Sequence, residues 1–492
     1  MYSHSPLLCA VWRNAEMFPD KAAFIVDGVE TSYSSLVVNV RKAAGMLVEK
    51  GLKTGDRIIL SAHKDIRFIY VYLASHILGV TNVIVDAASN EERLRYVEER
   101  VKPKYCFGYK SGKCPSEDFA AMDLEAMVPY EEKAAPLLSE DSVAEILFTT
   151  GTTGNPKGAC LSYRNIFASA SNINEFIRNR AEDIEVLALP ICHSFGLGRI
   201  RCNLLKGATV VLMGSFANVR LFFKNIEQYH ATGFGVVPAA WAYIRKISGT
   251  RIGKYAEQIR YIEIGSAAMP LEVKEEMLRL FPDTRICMHY GLTESSRSAF
   301  VEFHDTKHLE SVGKPVSSVK IKIMDENGKE VLIGDQGEIC VEGDIVMSHY
   351  LDADDDRNAF WGSCFRTGDY GYADKDGYIY LMGRRKELIN VGGKKVSPIE
   401  VEDAVCSLGV GDCVCVAVPD KEGMWGERVK CYILRGSTHL TFEEIDDKLS
   451  SMLEVYKRPV EYEWIENIPM TASGKKQRIP VSYTHLTLPT IR

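Results

Sequence analysis

Short apolar runs and longer amphipathic segments alternate along most of the chain. The runs "VLALP", "ATVVLM", "GFGVVP", "IRYIEIG" and "TRICMHYG" are rich in β-branched residues and each stops at Gly, Pro or a polar turn, the pattern of short strands. Between them "NVRLFFKNIEQYH" and "PLEVKEEMLRLF" repeat apolar residues at helical spacing, and Pro270 is expected to open the second as its first helical residue. Strands taking turns with helices predict layered α/β subdomains around largely parallel sheets. The most apolar stretch, Phe68–Asp86, is broken by Ser75, His76, Thr81 and Asn82. It lacks the unbroken length that a membrane span needs, so a buried helix followed by a strand is expected.

Past about Ser317 the pattern changes to the alternating "VKIKIMDENGKEVLIGDQGEICVEG", with Asn-Gly and Gly-Asp turns, which predicts a hairpin-rich β subdomain. After Gly383 comes the charged "RRKELINVGGKKV". Then "SPIEVEDAVCSL" reads as a helix with Ser397 as N-cap, Pro398 at its first position and Glu400 closing a capping box. Strands at "DCVCVAVP" and "RVKCYIL" and a helix near "TFEEIDDKLSSML" complete a small α+β module. The expected division is a large N-terminal region, 1–383, and a small mobile C-terminal domain, 384–481, with the boundary near Arg384–Lys386. The final run, Ser482–Arg492, resembles translated sequencing-adapter read-through and continues nothing before it, so 482–492 is set aside as a non-native tail.

Composition narrows the class. At 492 residues the chain exceeds one compact core, which agrees with two or three domains. With 46% hydrophobic and 25% charged residues it has the balance of a soluble globular protein. A formal net charge of −7 gives no basic excess, so nucleic acid is not an expected partner. The 13 cysteines are scattered, with no C-x-x-C pair and no Cys/His cluster at metal spacing. They read as reduced, mostly buried thiols of a cytoplasmic protein. The start, "MYSHSPLLCAVWRNAEMFPD", has no cationic stretch followed by an apolar core, so no secretory leader is expected.

The densest chemical signal is "LFTTGTTGNPKGACLSYRN", Leu147–Asn165. "AEILF" enters it as a strand, and a helix leaves it with Ser162 as candidate cap. Between them Thr149, Thr150, Gly151, Thr152, Thr153 and Gly154 combine backbone that can approach phosphate oxygens with hydroxyl donors, and Lys157 adds a cation on a long stem. The common phosphate loop follows its Lys with a Ser or Thr for Mg²⁺; here Gly158 follows, so the metal must be held elsewhere. The plain alternative is a surface loop with a helix cap.

"TTGTTGNPKG" resembles the signature of the adenylate-forming (AMP-binding) superfamily, which contains acyl-CoA synthetases, coumarate–CoA-type ligases, beetle luciferases and peptide-synthetase adenylation domains. Further motifs of that family follow in order: "ALPICHSFGLG", "IGSAAMP", "YGLTES", "FRTGDYGYADKDGYIYLMGRRKELINVGGKKVSPIEVE" and "IPMTASGKKQR". The resemblance spans Leu147 to Arg478, and the preceding region fits the family's first subdomain in length. It implies activation of a carboxylate by ATP to an acyl-adenylate and pyrophosphate, then passage of the acyl group to a thiol. Two anions must meet in the first half, which calls for cations, a metal and strict orientation.

The resemblance assigns roles by position. Thr149–Lys157 would hold the β- and γ-phosphates, Glu294 would hold Mg²⁺, a hard cation suited to carboxylate, and Thr293 would donate to the α-phosphate. Tyr290 would offer its face to adenine, with Gly265 and Gly291 beside the nucleotide. Asp369 would accept the ribose hydroxyls, and Arg384 would donate to the same sugar. Lys475 would reach the attacking carboxylate and the α-phosphate; Lys475, Lys157 and His193 are the candidate catalytic side chains. In the family the small domain turns about a hinge two residues after the ribose-binding Arg, which falls on Lys386. The turn would bring "NVGGKKVSP" to the site, with Gly392 and Gly393 leaving room for a narrow pantetheine arm. The plain alternatives are a first-turn helix acid for Glu294, a core tyrosine for Tyr290, a turn residue for Asp369 and solvated surface for Lys475.

His193 stands where acyl- and aryl-CoA ligases carry an aromatic residue or His beside the acyl tunnel; a core histidine is the alternative. Amino-acid-activating relatives place an Asp close by, whereas Ser194 and Phe195 follow here, so an ammonium-bearing substrate would lack a partner. Expected pocket walls are Pro238–Tyr243 with Trp241, Gly265–Met269 with Ser266 and Ala267, and His289–Gly291. They suit a fatty or aryl acid. CoA is the expected acceptor, with Lys394, Lys395, Lys457 and Arg458 as candidate phosphate contacts or simply a solvated basic face. An acyl carrier protein bearing phosphopantetheine is the runner-up, and a non-catalytic nucleotide-binding homologue a third reading. Degenerate relatives tend to lose one of Lys157, Glu294, Asp369, Arg384 and Lys475; all five are present.

Overall fold

In the computed structural model the described residues are 5–131, 136–149, 156–421, 424–436, 438–470 and 476–478. The tail 482–492 lies outside them.

The N-terminal region is built on three sheets among the described residues. In the first, strands Arg57–Ala62, Thr81–Asp86 and Val143–Phe148 run parallel, and Gly158–Ser162 returns antiparallel to the last of them. The two strands of that hairpin meet at the pair Phe148 and Gly158, so the phosphate loop leaves from the end of a sheet. The second sheet has a parallel core of Thr209–Leu212, Ile184–Leu187, Gly233–Val236, Tyr261–Ile264 and Arg285–Leu292. Ser296–Glu302 extends it antiparallel on one side, and Ala22–Val26 joins parallel on the other. The third, antiparallel sheet contains Val319–Met324, Gly337–Gly343, Cys364–Ala373 and Ile379–Arg384.

Helices fill the space between the first two sheets, because each has an apolar face that only another layer can cover. Helix Ile66–Leu78 packs on the first sheet and Ser194–Lys206 on the second, while Tyr163–Ile177 touches a strand of each. The cap expected at Ser162 is present as a reciprocal box with Asn165. The apolar stretch Phe68–Asp86 resolves into that buried helix, stopped by Gly79 in the left-handed region (φ 70), and the strand Thr81–Asp86. Among the described residues no helix is long and apolar enough to cross a membrane.

The C-terminal part has its own core, where Val401, Val405, Cys413, Cys415, Cys431 and Ile445 are buried together. A hairpin, Ile389–Val391 with Lys394–Val396, precedes the helix Pro398–Cys406. Strands Asp412–Pro419, Glu427–Leu434 and Glu461–Ile465 form a sheet, with helix Phe442–Leu449 beside them. The fold is therefore the expected one: layered α/β with a β-rich subdomain, followed by a small α+β unit.

Two local expectations need correction. Pro270 is the N-cap of Leu271–Leu280, not its first helical residue, because its ψ of 147° is extended. Ser397 caps its helix by accepting from the Glu400 amide, but the Glu400 carboxylate does not return the bond. Lys457 Nζ, at 2.6 Å from Glu400 Oε1, draws that side chain away from the cap.

Candidate active site

The expected residues gather at the carboxyl ends of the parallel strands, where α/β sheets present their ligand crevices. His193 follows Ile184–Leu187, Pro238 follows Gly233–Val236, Gly265 follows Tyr261–Ile264, and Tyr290 lies in Arg285–Leu292. Thr150, Gly151, Thr152, Thr153, Gly154 and Lys475 lie outside the described residues.

At the phosphate end the loop's flanks are tied together. The Thr149 amide donates to the Lys157 carbonyl (2.9 Å), and the Lys157 amide donates back to Thr149 Oγ1 (3.2 Å). Lys157 Nζ pairs with Asp355 Oδ1 at 3.0 Å and stands 4.9 Å from the Tyr350 ring centroid. The Tyr350 hydroxyl donates to Glu294 Oε1 at 2.7 Å. Burial and the Glu294 charge push that phenol well above its ordinary pKa, so it remains a donor. The structure thus brings Lys157 and Glu294 to one end through Tyr350, which the sequence reading did not include. Glu294 is 8% exposed and its Oε2 stands outside the tyrosine bond, a donor set that fits a hard divalent cation. Thr293 borders, with Ser194, Arg201 and Ser296, a cavity of ≈ 10 Å³.

At the ribose end Asp369 and Arg384 face each other on neighbouring antiparallel strands. Arg384 Nε lies 3.0 Å from Asp369 Oδ1, and Arg384 Nη1 donates to the Thr367 carbonyl at 2.8 Å. Burial opposes the Arg384 charge, but Asp369, Tyr290, Glu294 and Glu387 together outweigh it and keep the guanidinium above its ordinary pKa. Tyr290, buried beside them, donates its hydroxyl to Asp369 Oδ2 at 2.6 Å. Gly291 is fixed by space, since a Cβ there would stand 1.6 Å from the Ser296 carbonyl oxygen.

The acid side is built on His193, the N-cap of Ser194–Lys206, which makes no side-chain capping bond. Its ring is half-buried, and burial lowers its pKa against the opposing pull of Asp86. The ligand atoms of Asp86, Cys192 and His193 all lie within 4.8 Å of one another. Gly265 is buried, and a Cβ on it would be 2.1 Å from His289 Nε2; Ser266, half-buried, has φ 78. Ala267 is half-buried beside it. Trp241, expected on the pocket wall, needs correction. It is 1% exposed, its ring lies 6.3 Å from that of Phe281, and it shares with Ile244 the face that Pro238–Ser248 turns to the core.

Beneath this side lies a set of buried charges that the sequence reading missed. Arg199 pairs with Glu185 (2.6 Å) and Glu263 (3.1 Å), all three at 0% exposure. Arg297 Nε reaches Glu263 at 3.1 Å, and its Nη1 and Nη2 donate to the carbonyls of Ser194 and Phe195. His289 Nδ1 is 2.8 Å from Glu263. Arg201 pairs with Glu145 at 3.1 Å, and the Tyr72 hydroxyl donates to the same carboxylate. A signal was available. Glu145, Glu185 and Glu263 each interrupt an otherwise apolar buried strand, and such a glutamate requires a buried cation.

Comparison with known proteins agrees with this geometry. Residues 11–351 match the family model of the AMP-binding enzymes, and residues 400–475 that of the AMP-binding enzyme C-terminal domain. The chain belongs to this family and is an acid–thiol ligase of the carboxylate–CoA ligase branch. It is 30% identical to an oxalate–CoA ligase of Arabidopsis thaliana, over 96% of this chain and 98% of that one. It is 29% identical to a 2-succinylbenzoate–CoA ligase of Bacillus licheniformis, over 95% and 97% respectively. Among solved structures it resembles the o-succinylbenzoate CoA synthetase of Bacillus subtilis in complex with its acyl-adenylate intermediate, with a TM-score of 0.85, 25% identity, and coverage of 96% of this chain and 97% of that one.

Proposed function

We propose that the protein activates a carboxylic acid with ATP and transfers the acyl group to CoA. The observation that carries this reading is a pair of contact clusters, Tyr290 with Asp369 and Arg384, and Lys157 with Tyr350 and Glu294, the second near enough that Glu294 acts on the Arg384 charge. Asp369, already oriented by a tyrosine and an arginine, accepts the ribose hydroxyls. Lys157 and the Thr/Gly loop neutralise the leaving pyrophosphate; Glu294 would hold Mg²⁺, and the ion would supply positive charge toward the phosphates. Lys475 follows the same role by resemblance, steadying charge at the carboxylate and α-phosphate. His193, kept neutral by burial, borders the incoming acid.

The acceptor is CoA. Lys457 is paired with Glu400 and Glu454, and Arg458 with Asp446, which leaves the exposed Lys394 and Lys395 on the hairpin as the phosphate contacts. These lie over the Tyr456 and Tyr370 rings. The boundary at residue 384 and the hinge at Lys386 belong to the same reading, in which the small unit turns between half-reactions. The cysteines stand as thiols and not as disulfides, which supports a reducing, cytoplasmic setting.

A fatty or aryl monocarboxylate suits the acid side, because Arg199 and Arg297 below it are committed to glutamates. A second reading is a short or aryl dicarboxylate, favoured by the similarity to ligases of oxalate and 2-succinylbenzoate. Pyrophosphate release with fatty, aryl and dicarboxylic acids, each with and without CoA, tests both. Release should require one acid class and rise with CoA. Release that CoA leaves unchanged overturns the acceptor, and no release with any acid overturns the function.

A further inference from the structure

The segment directly after Lys475 is held by one buried carboxylate. Glu402, on helix Pro398–Cys406, is 4% exposed. Its Oε1 accepts from the Cys415 amide (2.8 Å) and from Arg478 Nη2 (2.9 Å); its Oε2 takes Arg478 Nη2 at 3.0 Å and Lys476 Nζ at 3.3 Å. Lys476 is further fixed by Asp412 Oδ1 (2.7 Å) and the Cys413 carbonyl (2.6 Å). The base of the loop is closed by an antiparallel bridge between Met470 and Lys476 and by the Gln477 amide on the Pro469 carbonyl (2.9 Å). Arg478 also spans to Glu387 Oε2 at 3.0 Å, one residue beyond Lys386. One carboxylate therefore ties together the segment after Lys475, the helix Pro398–Cys406 and, through Arg478, the hinge segment.

We propose that Glu402 is a positioning residue for the adenylation half-reaction: with Lys476 and Arg478 it fixes the residues that directly follow Lys475 to the hinge segment, so that the lysine's attachment point moves with the small unit. The inference rests on the reading of Lys475 given above. A lysine on a loop approaches the same point repeatedly only if the loop's base is fixed, and small misplacements of a reacting group cost large factors in rate. Buried ion pairs with satisfied hydrogen bonds suit this task, since they specify one arrangement even where they add little stability. Three of the four hydrogen bonds to Glu402's oxygens come from the 476–478 segment, and the fourth from the strand beneath it. That is more than closing a short helix against its sheet requires.

The test separates positioning from mere support. Glu402→Gln keeps shape and removes the charge, and Lys476→Met, on the loop side, leaves the helix untouched should the first variant fold poorly. Acid-dependent ATP–pyrophosphate exchange is expected to fall by about 10- to 100-fold in Glu402→Gln, with the KM for ATP nearly unchanged because its phosphates bind the large region. CoA transfer from supplied acyl-adenylate should stay close to wild type, and Glu402→Asp should recover part of the exchange. Equal losses in both half-reactions, or no loss in exchange, overturn the proposal. Hydrogen exchange of the 476–478 amides gives a readout independent of activity: it should accelerate in Glu402→Gln while the 389–396 hairpin stays protected. If wild-type protein catalyses neither half-reaction, the function fails, and unchanged exchange at 476–478 would show separately that the anchor fails too.

Discussion

The large region and the small unit handle most of their charge differently, Glu402 with Lys476 and Arg478 being the buried exception in the small unit. In the large region Arg199, Arg201 and Arg297 are buried with Glu145, Glu185 and Glu263 in a closed set that touches both the sheet and the carbonyls of Ser194 and Phe195 beneath the acid side. In the small unit the pairs Lys457–Glu400, Arg458–Asp446 and Lys476–Asp412 sit at half-buried edges around a modest apolar core. A stationary floor can use buried charge, because its geometry never changes and every partner is permanent. A part proposed to turn is better served by pairs carried wholly within itself, such as Arg478 with Glu402 and Glu387.

This contrast breaks most sharply at Arg199. Arg199→Met leaves Glu185 and Glu263 short of a cation, and urea unfolding should show a loss of about 3–5 kcal/mol; a loss under about 1 kcal/mol would mean that the floor is not a structural unit. Lys274 tests the opposite case, a buried cation without a carboxylate in contact. Burial lowers its pKa to about 8, with Asp403 and Glu310 pulling the other way. The unfolded chain then holds the proton more tightly between about pH 8 and the ordinary lysine value, so stability rises with pH across that window. The gain should approach about 3 kcal/mol and vanish in Lys274→Met. At the phosphate end, Tyr350→Phe removes the donor to Glu294 and should raise the Mg²⁺ concentration needed for half-maximal pyrophosphate release by about five-fold, the worth of one hydrogen bond. Smallest is Arg458→Met in the small unit, expected to cost less than about 1 kcal/mol, since its pair with Asp446 is partly open to water.

Much of the architecture could be read from residue pattern. The alternation between short β-branched runs and amphipathic segments fixed the order of strands and helices, and Ser162 and Ser397 act as caps where their local sequence suggested. Local pattern failed where a distant partner decided the outcome. Glu400 leaves its cap for Lys457, 57 positions along the chain, and Trp241 follows the core-facing side of its helix and not the pocket. In the site, the motifs brought Asp369, Arg384, Tyr290, Glu294 and Lys157 to notice, but not Tyr350, which lies outside every motif and earns its place through one bond to Glu294. The arginine–glutamate floor was also missed, because each member looks ordinary until four strands and a helix are assembled.

The parallel pairing of Ala22–Val26 with Thr209–Leu212 bears on how the protein is made. An early strand finds its neighbour only after the ribosome has added the whole intervening segment, which at typical bacterial to eukaryotic elongation rates takes roughly 10–40 s. During that interval the apolar run Ala23–Phe24–Ile25, wholly covered in the finished protein, can pair only with its hairpin partner Val29–Ser32. The nascent chain therefore carries a sticky hairpin with one open edge for much of its synthesis, and a chaperone that shields emerging apolar segments would be expected to matter more for yield than for the stability of the folded product.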